Sequence, residues 1–365
     1  MKKLLTSLSI LACLSFATKA QIITVDNNVN SAAMYTDLQT AIDNANAEDT
    51  IYVSGSETSY GSIILSKKLT LIGAGFEPNN QLGIRSEVSL FTLDVVIQGA
   101  ITSDPSGSSI IGFYILTTLR ISNNDNVNDV TIARNRIGGI LGNSSFVASE
   151  SLNNWLVYNN YFGTSGSASF KNSSNIIISN NIFDKNGTAL NSFENSSIIV
   201  ANNLFIRNSG TNPVDIFSNC ERTIFTNNIL IALEPGDVSS DCDFCTFNNN
   251  ISFTSGNNSF NYGTNSASNN LEFTDPLFVD ENGDLLFDSA EDYHLSAGSP
   301  GKNAGTDGTD IGIYGGLYVW PEGNLSPYIN SPFPTVPQII EMNIENAAVP
   351  IDGTLNINLK AKSAN

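Results

Sequence analysis

Asn135, Asn160, Asn181, Asn203, Asn228, Asn250 and Asn270 follow one another at intervals of 25, 21, 22, 25, 22 and 20 residues. Each of the first five sits in the frame apolar-x-x-Asn-x-apolar: Ile132/Ile137, Val157/Phe162, Ile178/Phe183, Val200/Phe205 and Phe225/Leu230. The frame weakens at Phe247/Ser252 and is lost at Ala267/Glu272. One fixed polar residue repeating at this period marks a solenoid, in which each repeat packs only on its neighbours. Ile110 to Ile115 fits the same frame with Phe113 in the Asn slot, 22 residues before Asn135. No segment within 110–275 has helical periodicity, and the several leucines that a leucine-rich repeat needs are absent.

Short apolar runs separated by turn clusters such as Asn172-Ser173-Ser174-Asn175 predict a few short strands per turn. Successive turns of a parallel β-helix stack at roughly 4.8 Å, so equivalent residues lie above one another. A buried polar group is costly unless bonded. Asn carries both donors and an acceptor, so a column of Asn satisfies itself from coil to coil. The residue before the ladder Asn is also Asn in six of seven turns (Asn159, Asn180, Asn202, Asn227, Asn249, Asn269), with Arg134 in the first. Asn tolerates the left-handed conformation of a sharp corner, so the pair predicts a two-residue corner. Asn181→Leu is therefore expected to destabilise, and Asn180→Ser to be milder.

Residues 1–20 read as an export signal: Lys2 and Lys3, an apolar run from Leu4 to Phe16, and Thr18-Lys19-Ala20 before the expected cleavage site. Ile10-Leu11-Ala12-Cys13 leaves a lipid-anchored form open. No other stretch is apolar and long enough to span a bilayer. The expected location is secreted or cell-surface. The formal charge is −19, and Lys and Arg number only 16, which argues against a nucleic-acid partner. The expected species is a monomer with an acidic, soluble surface.

Residues 34–45 predict a helix with Leu38, Ala41, Ile42 and Ala45 on one face and a capping box from Thr36 and Gln39. Such a helix suits the open end of a solenoid, which would otherwise expose core and strand edge. Thr50 to Val53, Ser62 to Leu65 and Leu69 to Ile72 read as strands. Residues 319–365 carry Pro321, Pro327, Pro332, Pro334, Pro337 and Pro350, and read as a linker plus a strand-forming tail around Thr354 to Leu359.

The Asn-ladder frame resembles the pectate-lyase-like right-handed parallel β-helix superfamily. The opening is similar too: a helix, then Asp49-Thr50-Ile51-Tyr52-Val53, then Leu69-Thr70-Leu71-Ile72-Gly73-Ala74-Gly75. Asp275-Pro276-Leu277-Phe278, Asp292-Tyr293-His294-Leu295, Gly298-Ser299-Pro300 and Asp310-Ile311-Gly312 resemble the closing coils of exported bacterial β-helix repeat proteins. The resemblance implies an all-β chain, a single-stranded right-handed parallel β-helix solenoid over 21–318. It does not imply one function, because the fold hosts lyases, hydrolases, epimerases, adhesins and non-catalytic surface proteins.

Lyases of this fold use an Arg or Lys base with Ca²⁺ held by acidic residues, and its hydrolases use two or three Asp on neighbouring coils. No short motif of either kind matches here, so catalytic residues stay unassigned. Lys185 and Arg207 each lie four residues after a ladder Asn and should neighbour one another, with Asp184, Glu194 and Asp215 nearby. These five are the candidate substrate-binding groove. The alternative is that long basic side chains splay into water and bind nearby carboxylates. Asp280, Asn282 and Asp284 have calcium-loop spacing, but Leu285 stands where the loop needs Gly. No cofactor is required, and Ca²⁺ is the one ion the pattern would admit. His294, the only histidine, has no nucleophile or metal partner in sequence. Cys220 and Cys242 each lie eight residues before a ladder Asn, which favours a disulfide between stacked coils and leaves Cys245 over; a stacked but reduced pair, and Cys220 with Cys245 after a register slip of three, are the alternatives. The leading functional expectation is a glycan-contacting surface protein without an identifiable catalytic motif; the alternative is a polysaccharide lyase or glycoside hydrolase.

Overall fold

The computed structural model describes residues 20–75, 85–94, 96–98, 101–122, 126–142, 152–163, 167–185, 187–207, 216–232, 242–253, 259–260, 263–288, 291–320, 338–344 and 357–362. The expected signal (1–20) therefore lies outside the described residues except for Ala20. The chain forms a parallel β-helix. Its coils are carried by three parallel sheets of eleven, eight and eight strands among the described residues. A central coil shows the pattern. Ile176–Ser179 joins the first sheet, Ile182–Lys185 the second and Leu190–Phe193 the third, and Ile198–Ala201 returns to the first. Register partners are the repeat-equivalent residues: Ile178 with Val200, Phe183 with Phe205.

Both apolar positions of the frame point inward. Phe162, Phe183 and Phe205 stack directly, with centroids 4.4 and 4.7 Å apart. Phe225 lies over Phe247 at 4.8 Å. These spacings match the strand repeat, so coil stacking and ring stacking reinforce each other.

The asparagine column sits between the first and second sheets. The amide oxygen of Asn203 accepts the backbone N–H of Asn181 at 2.9 Å and its side-chain Nδ2 at 3.0 Å. Asn181 Nδ2 also donates to the Val157 carbonyl at 2.9 Å. The same set repeats from Asn135 to Asn270, and Asn135, Asn160, Asn181, Asn203, Asn228 and Asn250 are fully buried. At the top, Phe113 occupies the slot and its N–H donates to Asn135 Oδ1 at 2.8 Å.

The preceding residues take the left-handed conformation, with φ of 51° at Asn159, 52° at Asn180, 55° at Asn202, 58° at Asn227, 52° at Asn249 and 55° at Asn269. Gly112 fills that slot one coil before Arg134, at φ 75°. These asparagines do more than turn the corner. Residues 304–318 run back along the outside as a strap, and the outer amides hold it. Asn249 Nδ2 donates to the Ala304 carbonyl at 2.8 Å. Asn227 Nδ2 donates to Thr306 Oγ1, and Asn227 Oδ1 accepts the Thr306 N–H at 2.9 Å. Asn180 Nδ2 donates to the carbonyls of Ile313 and Gly315 at 2.8 and 2.7 Å. Asn159 Nδ2 donates to the Tyr318 carbonyl at 2.8 Å. Asn180 is fully buried beneath the strap, so Asn180→Ser removes two hydrogen bonds to the strap backbone even if it remains milder than Asn181→Leu.

The ends also differ from the sequence reading. Ile22–Val25, before the helix, pairs residue for residue with Thr50–Val53 and opens the first sheet. Helix α1 spans Leu38–Asn44, and its cap is Asp37, whose carboxylate accepts the Thr40 N–H, rather than Thr36. Gln39 is drawn to a strand instead: its amide exchanges hydrogen bonds with the backbone of Ile64 at 2.8 and 3.0 Å. The buried face of α1 (Leu38, Ala41, Ile42) covers the first strands, as the sequence indicated. The coil strands stop at Ser266–Ser268, where the frame fails. Beyond them Phe278–Asp280 pairs antiparallel with Asp292–Leu295, and the strap follows. The tail forms an antiparallel pair, Gln338–Ile344 with Ile357–Lys362, so the expected strand lies a little later than Thr354 to Leu359.

The two asparagine columns make separable predictions. Asn181→Leu should cost about 1–3 kcal/mol for each neighbour left unpaired. Asn180→Ser should also be clearly destabilising, whereas Asn269→Ser, at an exposed position with no strap above it, should be close to neutral. Urea midpoints of the three variants check this; equal midpoints for Asn180→Ser and Asn269→Ser would refute the strap-anchoring role.

Candidate functional site

One face of the solenoid changes character along its length. On the outer face of the second sheet, the register column runs Glu87, Tyr114, Arg136, Tyr161, Ile182, Leu204, Ile229, Ile251. From Ile182 onward it is aliphatic and buried beneath the C-terminal segment, packed with Tyr293, Leu295, Ile311, Ile313 and Trp320. Before Tyr161 it holds Glu87, Tyr114 and Arg136, with Arg85 bonded to Glu87 beside it, and Arg85, Tyr114 and Arg136 stay partly exposed. The boundary falls where Phe287 packs on Tyr161, with ring centroids 5.7 Å apart.

The open half is an alternating stack. The Arg85 guanidinium lies 4.0 Å from the Tyr114 ring centroid, and Arg136 lies 5.1 Å from Tyr114 and 5.0 Å from Tyr161. Glu87 Oε2 accepts from Arg85 Nε and Nη2 at 3.0 and 2.7 Å. At the boundary the Tyr161 hydroxyl donates to Asp184 Oδ2, and Asp184 is only 1% exposed. A planar guanidinium between two ring faces is held by cation–π attraction and stacking, which fixes its orientation on the sheet.

The five residues expected to form a groove do not all converge. Asp184 belongs to the boundary just described. Lys185 and Arg207 are register neighbours, as their equal offsets required. The Arg207 carbonyl accepts the Phe287 N–H at 2.9 Å, which ties that strand to the C-terminal segment. Glu194 lies at the end of a third-sheet strand and pairs with Lys171 at 2.8 Å. Asp215 lies outside the described residues. Arg85, Tyr114, Arg136 and Tyr161 were not singled out from sequence. The one signal for three of them is that Tyr114 lies one residue after the Asn slot at 113, as Arg136 and Tyr161 lie one residue after their ladder Asn.

Asp280 ends the strand Phe278–Asp280, and Asn282 and Asp284 lie in the hairpin loop that follows. Asn282 Oδ1 accepts the Asp284 N–H and Asp284 Oδ1 accepts the Leu286 N–H, both turn-forming contacts. Among the described residues no group of three or more His, Cys, Asp or Glu is placed to hold a metal ion. His294 Nδ1 meets Asp292 Oδ1 at 2.5 Å, and its ring stacks on Tyr314 at 3.5 Å. Burial acts to raise the Asp292 carboxyl, but the bonds from the His294 N–H and ring prevail and hold it below its usual range. Glu291 is the opposite case. Burial lifts it above its ordinary value despite the Tyr293 hydroxyl that donates to it at 2.9 Å. Cys220 and Cys242 are register partners as expected; both, with Cys245, are buried free thiols in the structure.

No family model matches the chain, and no curated protein matches it. No helix among the described residues is long and apolar enough to cross a membrane.

The Glu291 shift has a sign that can be checked. A carboxyl whose folded value is raised destabilises the fold when ionised, so stability should rise as pH falls from 7 through the raised value towards 4.5. In Glu291→Gln this part of the pH dependence should disappear. Melting temperatures at closely spaced pH values measure it, and an unchanged profile would count against the assignment.

Proposed function

We propose that this is a secreted or cell-surface protein of the pectate-lyase-like, right-handed β-helix kind that contacts a glycan along the outer face of its second sheet. The observation that carries the reading is the Arg85–Tyr114–Arg136–Tyr161 stack. It places guanidinium and phenol edges at successive strand spacings on a rigid scaffold. A linear saccharide running along the axis meets similar donors at each coil. Tyr and Arg supply large contact area and directed hydrogen bonds at low cost in conformational freedom. On a chain whose formal charge is −19, the stack gathers two guanidiniums, one of them paired with Glu87, among aromatic rings.

A second reading, a polysaccharide lyase or glycoside hydrolase, is favoured by one feature. Asp184 is a buried carboxylate held by Tyr161 beside the stack. A buried carboxylate hydrogen-bonded by a tyrosine beside an open face is the placement a general acid or base requires.

A glycan panel run with and without Ca²⁺ tests both. Binding to one saccharide class, weakened tenfold or more by Arg136→Ala and by Tyr114→Ala with the fold intact, supports the contact reading. Product release abolished by Asp184→Asn would instead establish the enzyme. If both Arg136→Ala and Tyr114→Ala bind like the parent, the stack is not the contact surface.

A further inference from the structure

Three thiols meet in the core near the last coils. Cys220 and Cys242 occupy matched positions on consecutive third-sheet strands, Phe217–Glu221 and Cys242–Asp243. Register partners on adjacent parallel strands stand roughly 4.8 Å apart at Cα, within the span a disulfide accepts. Cys245 follows Phe244, which is left-handed at φ 58°, so the chain turns the corner between Cys242 and Cys245. The Cys220 thiol donates to the Ser218 carbonyl and the Cys245 thiol to the Asp243 carbonyl, and all three cysteines are at most 2% exposed in one core cluster. Cys242 is thus the shared member of two mutually exclusive pairs.

We propose that Cys220 and Cys242 form a disulfide that staples two consecutive coils, laid down while the chain folds, with Cys245 retained as a buried thiol beside it. One thiolate attacks a disulfide-bearing oxidant, giving a mixed disulfide and releasing one thiol. The second attacks the protein sulfur of that mixed disulfide and releases the other thiol. The two electrons leave the cysteines and reduce the oxidant to two thiols, and two protons move from the cysteines to the departing thiolates. The timing follows from burial. In the closed coil the neighbouring Cys220 thiol and burial push the Cys242 thiol up, and the neighbouring Cys242 thiol and burial push Cys245 up. Buried thiols of this kind are inert towards exchange. The cross-coil bridge closes a loop of about 22 residues, whereas Cys242–Cys245 closes almost none, so only the first restrains the unfolded chain appreciably.

The full chain, reduced and unfolded, is refolded with oxidised glutathione, alkylated and mapped by peptide mass without reductant. The expected product is a Cys220–Cys242 linked peptide with Cys245 alkylated only after unfolding. The oxidised protein should melt roughly 5 °C or more above the reduced form. The link and the shift should persist in Cys245→Ser and vanish in Cys220→Ser. Three alkylatable thiols, a Cys242–Cys245 peptide, or any link to Cys245 or Cys13 would overturn the assignment. The parent map decides the matter even if a variant fails to fold.

Discussion

A ladder asparagine carries two amide N–H donors and one carbonyl acceptor, and it lies where no water reaches. Stacking identical residues one strand apart uses every one of these groups. Each Nδ2 donates forward to the next ladder oxygen and back to a carbonyl of the preceding coil, while each Oδ1 accepts a backbone N–H and a side-chain N–H. A single amide there would be a liability of about 1–3 kcal/mol, because a buried donor without a partner bears its full desolvation cost. A continuous column removes that liability and makes any other coil offset costly. The ladder therefore fixes register, and register fixes everything stacked on it: the phenylalanine column, the cysteine pair and the outer face of the second sheet.

The first asparagine of each pair shows how one residue type serves two ends. Its backbone adopts the left-handed corner that Asn tolerates. With the corner fixed, its side chain faces outward rather than into the column. The strap uses those outward amides as a row of donors for its own carbonyls, since residues 304–318 form no sheet of their own with the coils. A strand edge would have done the same job, but at a corner there is none. Side-chain amides replace it.

This accounts for what the sequence made legible. The repeat, the inward frame and the Phe113 substitution could be counted, because a constant offset maps directly onto stacking. The pairing of Cys220 with Cys242 and of Lys185 with Arg207 came from the same counting. The strap could not be counted. Its contacts join Asn180 to Ile313 and Asn227 to Thr306 across more than 75 residues with no repeat on one side. The cap of α1 falls one residue after Thr36 because the Asp37 carboxylate accepts the Thr40 N–H, while the Gln39 amide that a Thr36 box would use pairs with the Ile64 backbone. Arg85 was invisible for a different reason: before residue 110 the coils lack the asparagine, so nothing in the sequence sets their offset.

The strap also decides what the outer face can do. The second sheet presents one column from end to end, but its chemistry changes at Tyr161 from phenol and guanidinium to aliphatic. Aliphatic side chains on an open solenoid face would be an association hazard, and here they are buried by the returning chain. The C-terminal cover stops at Phe287 and Tyr318, the rings that meet Tyr161 and Tyr158. The open coils are thus the ones whose residues tolerate water and retain directional donors. A cover that extended one coil further would have to bury Arg136, at the cost of desolvating its charge. The limit of the strap and the beginning of the polar stack are two consequences of the same sequence change, which is why the candidate contact surface lies at the N-terminal end of the sheet.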